Sequence, residues 1–325
     1  MKVLVTGGAG FIGSHVVEEL IAHGVETSVV DNLSTPGGAG RLHAAAAFYH
    51  ADLLGSGLRE AFIREKPECV IHLAAQIDVQ TSLRRPDYDA DVNIVGTIRL
   101  LQLCAEFGVR KIVYASSAAV YGAPSYLAID EHHPLRPLSF YGISKMAPEL
   151  YIQTFSAIYG MTYTILRYAN VYGPRQSASG EAGVVAIFAD RLLHGETPVV
   201  YGNGEQTRDF ICVKDVAAAN YLAIGRGDGE IVNIGCNRQT SVNQLALLLS
   251  MSMGRPVQPV YRTKRSGDIV HSRLHNGKAK RVLGFEPKWN LLEGLRLTVA
   301  HYKETIHDKM DIIPLERRVV GSHET

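Results

Sequence analysis

Two residues of this chain, Tyr141 and Lys145, combine side-chain types and a spacing that suit proton transfer. They lie four apart in a stretch, 141–159, whose pattern predicts a helix, so they share one helix face. A free tyrosine has a pKa of about 10 and is a poor base at neutral pH, but a nearby ammonium favours the phenolate. Lowering that pKa to near 7 takes about 4 kcal/mol. The alternative is a core tyrosine beside a solvated lysine.

Two serines follow an apolar run at residues 111–115. Ser116 and Ser117 would therefore stand at the carboxyl end of a predicted strand, where a hydroxyl can hydrogen-bond a substrate oxygen. The alternative is a serine turn or a helix cap. The pattern favours a catalytic role for one of the two.

A glycine-rich turn follows the first apolar run of the chain. Gly7, Gly10 and Gly13 have Gly-x-x-Gly-x-x-Gly spacing between a predicted strand and a predicted helix. Gly7 allows a tight turn, Gly10 lets the backbone approach a pyrophosphate, and Gly13 lets helix and strand pack closely. The helix N-terminus offers free N–H groups and a positive dipole end to phosphates. A glycine triplet alone also marks ordinary turns, but this context predicts dinucleotide binding.

An acidic residue follows at the distance that such a site needs. Asp31 ends the next apolar run, 18 residues after Gly13. A carboxylate there accepts both hydroxyls of an adenosine ribose and repels a 2′-phosphate, so NAD is favoured over NADP. The positive charge of NAD would then assist Lys145 in favouring the phenolate of Tyr141.

Alternating apolar runs and helical patterns must position these residues. Strands are predicted at 3–5, 27–30, 47–50, 69–73, 111–115 and 163–167, and helices at 14–23, 58–65, 93–107 and 141–159. Such repetition predicts an α/β fold, a Rossmann-type doubly wound parallel sheet with helices on both faces. Ligands of such sheets bind beyond the carboxyl ends of the strands, where the residues above lie.

The pattern loosens after Asn170. We expect an NAD-binding domain over residues 1–170 and a smaller C-terminal α/β substrate domain over 171–325, with part of the chain near 207–235 returning to the first. Helices are predicted at 182–194 and 242–251. A charged, aperiodic tail from about Met310 is expected to be poorly ordered.

The bulk properties exclude several classes of function. The chain has 325 residues, 46% of them hydrophobic, and a net charge of +1, which provides no basic field for nucleic acid or an anionic membrane. No apolar run approaches the ~18 residues of a membrane span, and no signal peptide is visible. The four cysteines form no Cys-x-x-Cys pair, and Cys69 and Cys104 are expected to be buried. We expect a cytoplasmic protein without a metal, in which the pair His132-His133 is solvated.

Several motifs together resemble the extended short-chain dehydrogenases/reductases, and within them the nucleotide-sugar epimerase/dehydratase group. The resemblance covers about residues 1–300. The motifs are Thr6-Gly-Gly-Ala-Gly-Phe-Ile-Gly13, His72-Leu-Ala-Ala75, Ser116-Ser-Ala-Ala-Val-Tyr-Gly122, Tyr141-Gly-Ile-Ser-Lys145 and Arg167-Tyr-Ala-Asn170.

The resemblance implies roles for individual residues. Ser117, Tyr141 and Lys145 would form the catalytic triad. Tyr141 and Lys145 would also meet the cofactor, together with the turn glycines and Asp31. The further residues implied in NAD binding are Phe11, Ile12, Asn32, Ser34, Asp52, Leu53, Leu73, Ala74, Ala75, Gln76, Asn93 and Ala169.

The resemblance extends to the segments that would hold a substrate. Arg208 and Arg265 would bind a diphosphate, as arginine forks do, with Asn170 as a neutral donor. Asp268 would accept the uridine ribose hydroxyls. Ser272 would face the sugar, and its small size would leave room for a 2-acetamido group. The alternatives are surface salt bridges for the arginines and a local structural role for Ser272.

The residues after the strand indicate which reaction of the group is implied. Related dehydratases carry acids where this chain has Ala118 and Ala119, and an alanine cannot transfer a proton. The resemblance therefore implies NAD-dependent 4-epimerisation of a UDP-hexose, UDP-glucose or UDP-galactose, through a transient 4-keto sugar. It also implies a homodimer formed through helices near 93–107 and 145–159.

Other interpretations stay open at this point. One is 4-epimerisation of UDP-N-acetylglucosamine, or another nucleotide-sugar epimerase or reductase. Another is a non-catalytic NAD-binding sensor or scaffold, which would not need Ser117, Tyr141 and Lys145 together. Two departures from the group's pattern are Pro148, which is expected to kink the helix after Lys145, and the segment His275-Asn276-Gly277.

The acid at position 31 yields a test of cofactor choice. We expect the protein to bind NAD more tightly than NADP, and Asp31→Ala to weaken NAD binding and relax the discrimination against NADP. Equilibrium titration of both proteins with both cofactors measures this. Equal affinity of the wild-type protein for NAD and NADP would refute the role of Asp31.

Overall fold

A computed structural model describes residues 1–177, 183–254, 256, 258–264 and 269–311, with the backbone alone described from 306 onward. Arg265 and Asp268 therefore lie outside the described residues, as does the tail from residue 312. Within the described part of the chain, no helix has both the length and the apolar character needed to cross a membrane.

The strands of the described chain form one large sheet and three small ones. They are β1 (Lys2–Thr6), β2 (Glu26–Asp31), β3 (Ala47–His50), β4 (Cys69–His72), β5 (Lys111–Ser117), β6 (Thr162–Tyr168), β7 (Asn170–Tyr172), β8 (Val199–Tyr201), β9 (Thr207–Arg208), β10 (Phe210–Cys212), β11 (Glu230–Ile234), β12 (Thr240–Ser241) and β13 (Val260–Arg262).

Seven of these strands form a parallel sheet in the order β11-β6-β5-β4-β1-β2-β3. The order reverses beside β1, so β1 and β4 border the crevice in which ligands of such sheets bind. The predicted doubly wound Rossmann-type sheet is confirmed. The last strand, β11, comes from the second half of the chain and pairs with β6.

Helices cover both faces of this sheet and build most of the remainder. They are α1 (Phe11–Ala22), α2 (Gly57–Glu65), α3 (Val79–Arg84), α4 (Pro86–Ala90), α5 (Gly96–Glu106), α6 (Phe140–Tyr159), α7 (Val184–Leu193), α8 (Val213–Gly225), α9 (Val242–Met253), α10 (Gly277–Leu283) and α11 (Leu291–Asp311).

The core has three parts. One face of the sheet packs Val3, Val5 and Val16 with α1 and α8, and the other packs Leu4, Phe62 and α5 and α6. Because its side chains are buried on both faces, β1 is a continuous apolar run rather than an alternating one. The third cluster joins α7, α9 and α11 beside the small sheets of the second half.

Three local expectations need correction. The helix α1 begins at Phe11 rather than at residue 14. The predicted helix 93–107 is a π-helical turn, Asp91–Val95, followed by α5. The pair His132-His133 is not wholly solvated, since His133 is buried and its Nε2 accepts the Ser125 N–H at 2.9 Å.

The helix α6 sets the position of Tyr141 and Lys145. Ser139 caps its start by accepting the Gly142 N–H, and Gly160, with a φ of 73°, ends it. The helix continues through Pro148. Tyr141 therefore lies in the first turn of α6, at the edge of the sheet where β5 ends.

Candidate active site

The carboxyl end of β5 meets the first turns of α6 at the centre of the site. Ser117 is the last residue of β5, and its Oγ accepts the Ala119 N–H at 3.1 Å. The Ser117 side chain also acts on Tyr141, where it lowers the pKa of the phenol. Two members of the triad that the resemblance implies are therefore together.

The ammonium of Lys145 lies beneath this pair, in the interior. The residue is 4% exposed, and its Nζ donates to the Ala115 carbonyl at 2.9 Å. It also lies 5.3 Å from the centre of the Tyr114 ring, a favourable cation–π distance. Burial lowers the pKa of Lys145 to about 8, although Asp89 acts to raise it.

The expected low pKa of Tyr141 is not a property of the polypeptide alone. Burial raises the pKa of Tyr141 to about 12, and the effect of Ser117 only partly opposes this. The Lys145 ammonium is turned toward the Ala115 carbonyl and the Tyr114 ring. The protein by itself therefore holds Tyr141 as a neutral phenol.

The second serine of the pair has a different environment. Ser116 is buried, and its Oγ donates to Glu149 Oε1 at 2.5 Å. Glu149 also pairs with Arg167, whose Nε lies 2.9 Å from Oε1. Arg167 belongs to β6, so this pair ties α6 to both strands beneath it. Of the two serines, Ser117 is the one that meets Tyr141.

The glycine turn forms a close contact between the ends of β1, β4 and α1. A Cβ atom on Gly13 would lie 2.0 Å from the Gly7 carbonyl oxygen, and one on Gly7, whose φ is 73°, would lie 2.6 Å from the Ala74 nitrogen. Gly10 caps α1 without a side-chain hydrogen bond. The first-turn N–H groups of Phe11 and Ile12 thus lie where a pyrophosphate needs donors.

Asp31 closes the other side of this turn. Its carboxylate accepts the Ala9 N–H at 2.9 Å and the Leu33 N–H at 2.8 Å. Each oxygen has a further lone pair for a ribose hydroxyl. Three features together fit a dinucleotide of the NAD type. They are the glycine turn, the N-terminus of α1, which has no capping side chain, and the carboxylate of Asp31.

The other residues implied in cofactor binding extend from this turn along the sheet edge. Asn32 donates to Asp52 Oδ2 at 2.6 Å and accepts the Ser34 N–H at 3.0 Å. Leu53 is buried beside Gly96. These four residues follow β2 and β3 and form one surface near Asp31.

A second group lies after β4. Leu73 donates its N–H to Thr6, Ala74 lies against Gly7, and Ala75 follows. The Asn93 side chain accepts the Gln76 N–H at 2.8 Å and donates to the Gln76 carbonyl at 2.9 Å. Asn93 Nδ2 also lies 2.9 Å from Ser144 Oγ, so this group is joined to α6. Ala169 is buried after β6 and bonds the Ile234 carbonyl.

The described residues expected to hold a substrate lie on neighbouring short strands. Asn170 begins β7 and donates its N–H to the Asp209 carbonyl at 2.9 Å. Arg208 ends β9 and is half-buried. Ser272 donates its N–H to the Thr207 carbonyl at 3.1 Å, which places it beside β9.

A cavity of about 500 Å³ continues from this region, and the sequence pattern did not reveal it. Its lining includes Tyr201, Gln206, Lys264, Val270 and His271. The cavity borders Ser272 through its neighbour His271, which bonds Thr207. Its size is in the range of small-molecule sites. These residues lie in or next to strands that are distant in the sequence, and the packing of β8, β9 and β13 brings them together. No local motif could therefore have indicated them.

Titratable groups elsewhere in the described chain are held by packing rather than arranged for metal binding. Within the described residues, no three histidine, cysteine or acidic side chains are placed to hold a metal ion. The predicted burial of Cys69 and Cys104 is confirmed, and all four cysteines are free thiols.

The chain matches the sequence model of the NAD dependent epimerase/dehydratase family over residues 3–235. It is 45% identical over 302 residues to a putative UDP-glucose 4-epimerase of Methanocaldococcus jannaschii, covering 93% of this chain and 98% of that one.

Solved structures are similar over nearly the whole chain. A UDP-glucose 4-epimerase of Thermotoga maritima, determined with UDP-glucose, is 47% identical with a TM-score of 0.91, covering 94% of this chain and 100% of that one. A UDP-glucose 4-epimerase of Thermus thermophilus, in complex with NAD, is 40% identical with a TM-score of 0.87, covering 93% of this chain and 99% of that one. The chain therefore belongs to the NAD-dependent epimerase/dehydratase family.

Proposed function

We propose that this protein catalyses the NAD-dependent 4-epimerisation of a UDP-hexose, UDP-glucose or UDP-galactose, through a transient 4-keto sugar. The observation that carries the proposal is the convergence of Ser117, at the end of β5, with Tyr141 and the buried Lys145, in the first turns of α6, next to a dinucleotide cradle. The relatives named UDP-glucose 4-epimerase support it.

Each residue of the triad has one task in this proposal. Tyr141 takes the proton of the 4-hydroxyl, Ser117 donates a hydrogen bond to the same oxygen, and Lys145 stabilises the phenolate. When bound, NAD would supply the hydride acceptor for C4 and the hydride donor that reduces the 4-keto sugar. The cofactor is regenerated in each turnover, so no second substrate is needed.

The segment after Ser117 supports epimerisation over dehydration. Ala118 and Ala119 form a short 3₁₀ turn that directly follows Ser117. Neither methyl side chain can donate or accept the second proton that elimination of water requires. The 4-keto sugar can therefore turn over and be reduced on its opposite face, while its diphosphate stays held.

We assign the substrate to the surface between β7, β9 and Ser272. Arg208 and Arg265 would hold the diphosphate with Asn170, and Asp268 the ribose. The adjacent cavity would take the uracil end, because Tyr201 offers a ring and Gln206 offers an amide for its polar edge. NAD would lie along the cradle, Asp31, the Asn32–Leu53 surface and the segment from Leu73 to Asn93.

The wider organisation is also part of the proposal. Residues 1–170, with β11, would form the cofactor domain and the remainder the substrate domain, and the protein would work in the cytoplasm. A homodimer through α5 and α6 is supported by an exposed apolar stripe on α6, formed by Ile143, Leu150 and Ile158. These residues recur at intervals of seven and eight, which places them on one helix face.

A second substrate is supported by the residue expected beside the sugar. Ser272 is small and half-buried next to β9. A bulkier residue at that position would exclude a 2-acetamido group once the sugar has turned over. UDP-N-acetylglucosamine is therefore the second candidate substrate. A non-catalytic sensor is disfavoured because it has no use for the triad.

The base is tested by Tyr141→Phe. The phenyl ring keeps the packing but cannot take a proton, so turnover should fall by about 10²–10⁴-fold while NAD stays bound. Epimerisation rate and absorbance of the bound cofactor measure the two effects. Tyr163→Phe, at the amino end of β6 and so at the opposite edge of the sheet, is the matched control and should act like wild type. Activity of Tyr141→Phe within a few-fold of wild type would exclude the role.

The reaction itself is tested by the fate of hydrogen at C4. We expect a deuterium atom placed at C4 of UDP-glucose to be retained in UDP-galactose, because it is returned from the enzyme-held cofactor. Absorbance in the reduced-nicotinamide band should rise transiently without net accumulation. Solvent deuterium at C4 of the product, or a dehydrated product, would contradict the proposed reaction.

The sugar pocket is tested by Ser272→Tyr, with Ser272→Ala as the small control. Steric exclusion predicts that the tyrosine variant loses UDP-N-acetylglucosamine selectively, while the alanine variant keeps both sugars. Comparing kcat/KM for the two sugars in all three proteins measures this. An equal loss on both sugars, or no N-acetyl activity in the wild-type protein, would remove this role for Ser272.

A further inference from the structure

Asp89, on the short helix α4, is a buried carboxylate that the proposed mechanism does not use. It is 1% exposed. Its Oδ1 accepts from Gln76 Nε2 at 2.7 Å and from Asn93 Nδ2 at 3.2 Å. Its Oδ2 is also buried and has no hydrogen-bond partner among the described residues. Two neutral amides are thus the described donors to a carboxylate, and they do not neutralise its charge.

Lys145 is a buried cation that, like Asp89, bonds neutral groups. Its buried ammonium bonds a neutral carbonyl and faces a neutral ring. Within the described part of the chain, neither Lys145 nor Asp89 has an oppositely charged group within 4.0 Å. A buried charge without an opposite charge is costly, and two such charges nearby attract strongly in the low-dielectric interior.

The surroundings of Lys145 leave Asp89 as its counter-charge. From β4, His72 is neutral, since burial and then Lys145 lower its pKa to about 3. From β5, Tyr114 stays protonated, because burial raises its pKa well above the usual value. On α6 itself, the charge of Glu149 is balanced by Arg167 of β6. The helix α4, which carries Asp89, packs directly against α6.

We propose that Asp89 is the counter-ion of Lys145, a positioning residue that acts through Lys145 and Tyr141 rather than on the substrate. The inference rests on the proposed catalytic use of that pair. The carboxylate is held in place by Gln76 and Asn93, and Asn93 reaches Ser144, the neighbour of Lys145, at 2.9 Å. Gln76 and Asn93, which belong to the segment after β4 that is proposed to bind the cofactor, thus also hold the charge of Asp89 in place.

The sign of the effect follows from the charge. Asp89 raises the pKa of Lys145 and also that of Tyr141. In the NAD-loaded protein, where the charge of the cofactor lowers the pKa of Tyr141, that residue sets the acid limb of a bell-shaped pH profile and Lys145, which must stay charged, sets the alkaline limb. Removing the negative charge lowers both values, so the whole active range should move toward acid pH.

The test is Asp89→Asn, which keeps the shape and the acceptor oxygen but removes the charge. We expect both limbs of the kcat/KM profile to move to lower pH by about one pH unit. Asp87→Asn is the matched control, since it removes a charge from the exposed side of the same helix, and it should leave both limbs in place. Limbs that stay unchanged in Asp89→Asn, or that move otherwise, would overturn the proposal.

A second measurement separates this inference from the proposed reaction. The ultraviolet difference between NAD-loaded wild-type protein and Tyr141→Phe reports ionisation of Tyr141 without substrate. The same difference, taken in the Asp89→Asn background, should show tyrosinate at lower pH, and an unchanged titration would refute the inference even if no UDP-sugar is turned over. If thermal melting shows that Asp89→Asn does not fold, Asp89→Ser, which can still accept from Asn93, takes its place with the same expected shifts.

Discussion

The buried ion pair between Glu149 and Arg167 is the interaction on which the geometry of the site depends. Each side chain is 2% exposed, and the pair joins α6 to β6, while Ser116 joins it to β5. Removing one partner of such a pair leaves the other charge buried without a counter-charge, which destabilises the fold by about 3–5 kcal/mol. Glu149 lies one turn after Lys145, so the pair fixes the height of Tyr141 and Lys145 over the strand that ends in Ser117. Arg167 also donates to Tyr121, whose hydroxyl donates to Asn233 of β11, and the second half of the chain is thereby tied to the same anchor.

The sequence predicted the sheet because its physical signals are local. A strand buried on both faces gives an unbroken apolar run, so β1 and β4 were placed within a residue or two. The exceptions arise from tertiary contacts. The π-helical turn at Asp91–Val95 contains Asn93, whose side chain bonds Gln76 and Ser144, and widened turns of this kind are frequent at functional sites. The helical periodicity of a sequence carries no information about such a tertiary contact. The burial of His133 likewise depends on Ser125, which the adjacent sequence does not reveal.

The same distinction applies to the site. The four-residue spacing of Tyr141 and Lys145 and the turn with Gly7 and Gly13 could be recognised because one helix or one loop holds each set. The cavity beside Ser272 and the buried Asp89 could not, since they depend on how separate elements pack. The electrostatic expectation for Tyr141 was wrong for the protein alone for a related reason. Proximity along a helix does not tell which way an ammonium turns, and Lys145 turns to the Ala115 carbonyl, so burial governs the pKa of Tyr141.

These facts together describe a site whose own residues favour the neutral form of the base. Tyr141 is a neutral phenol in the protein alone, and the pKa of Lys145 has been lowered to about 8. Positive charge beyond that of Lys145 would therefore come with NAD, whose nicotinamide would enter beside the segment that also holds Asp89. A base that ionises only in the loaded protein cannot act on a sugar in the absence of the hydride acceptor. Because an epimerase must restore its own protonation state in each turnover, a buried and nearly balanced set of charges suits the reaction better than a permanently ionised tyrosine.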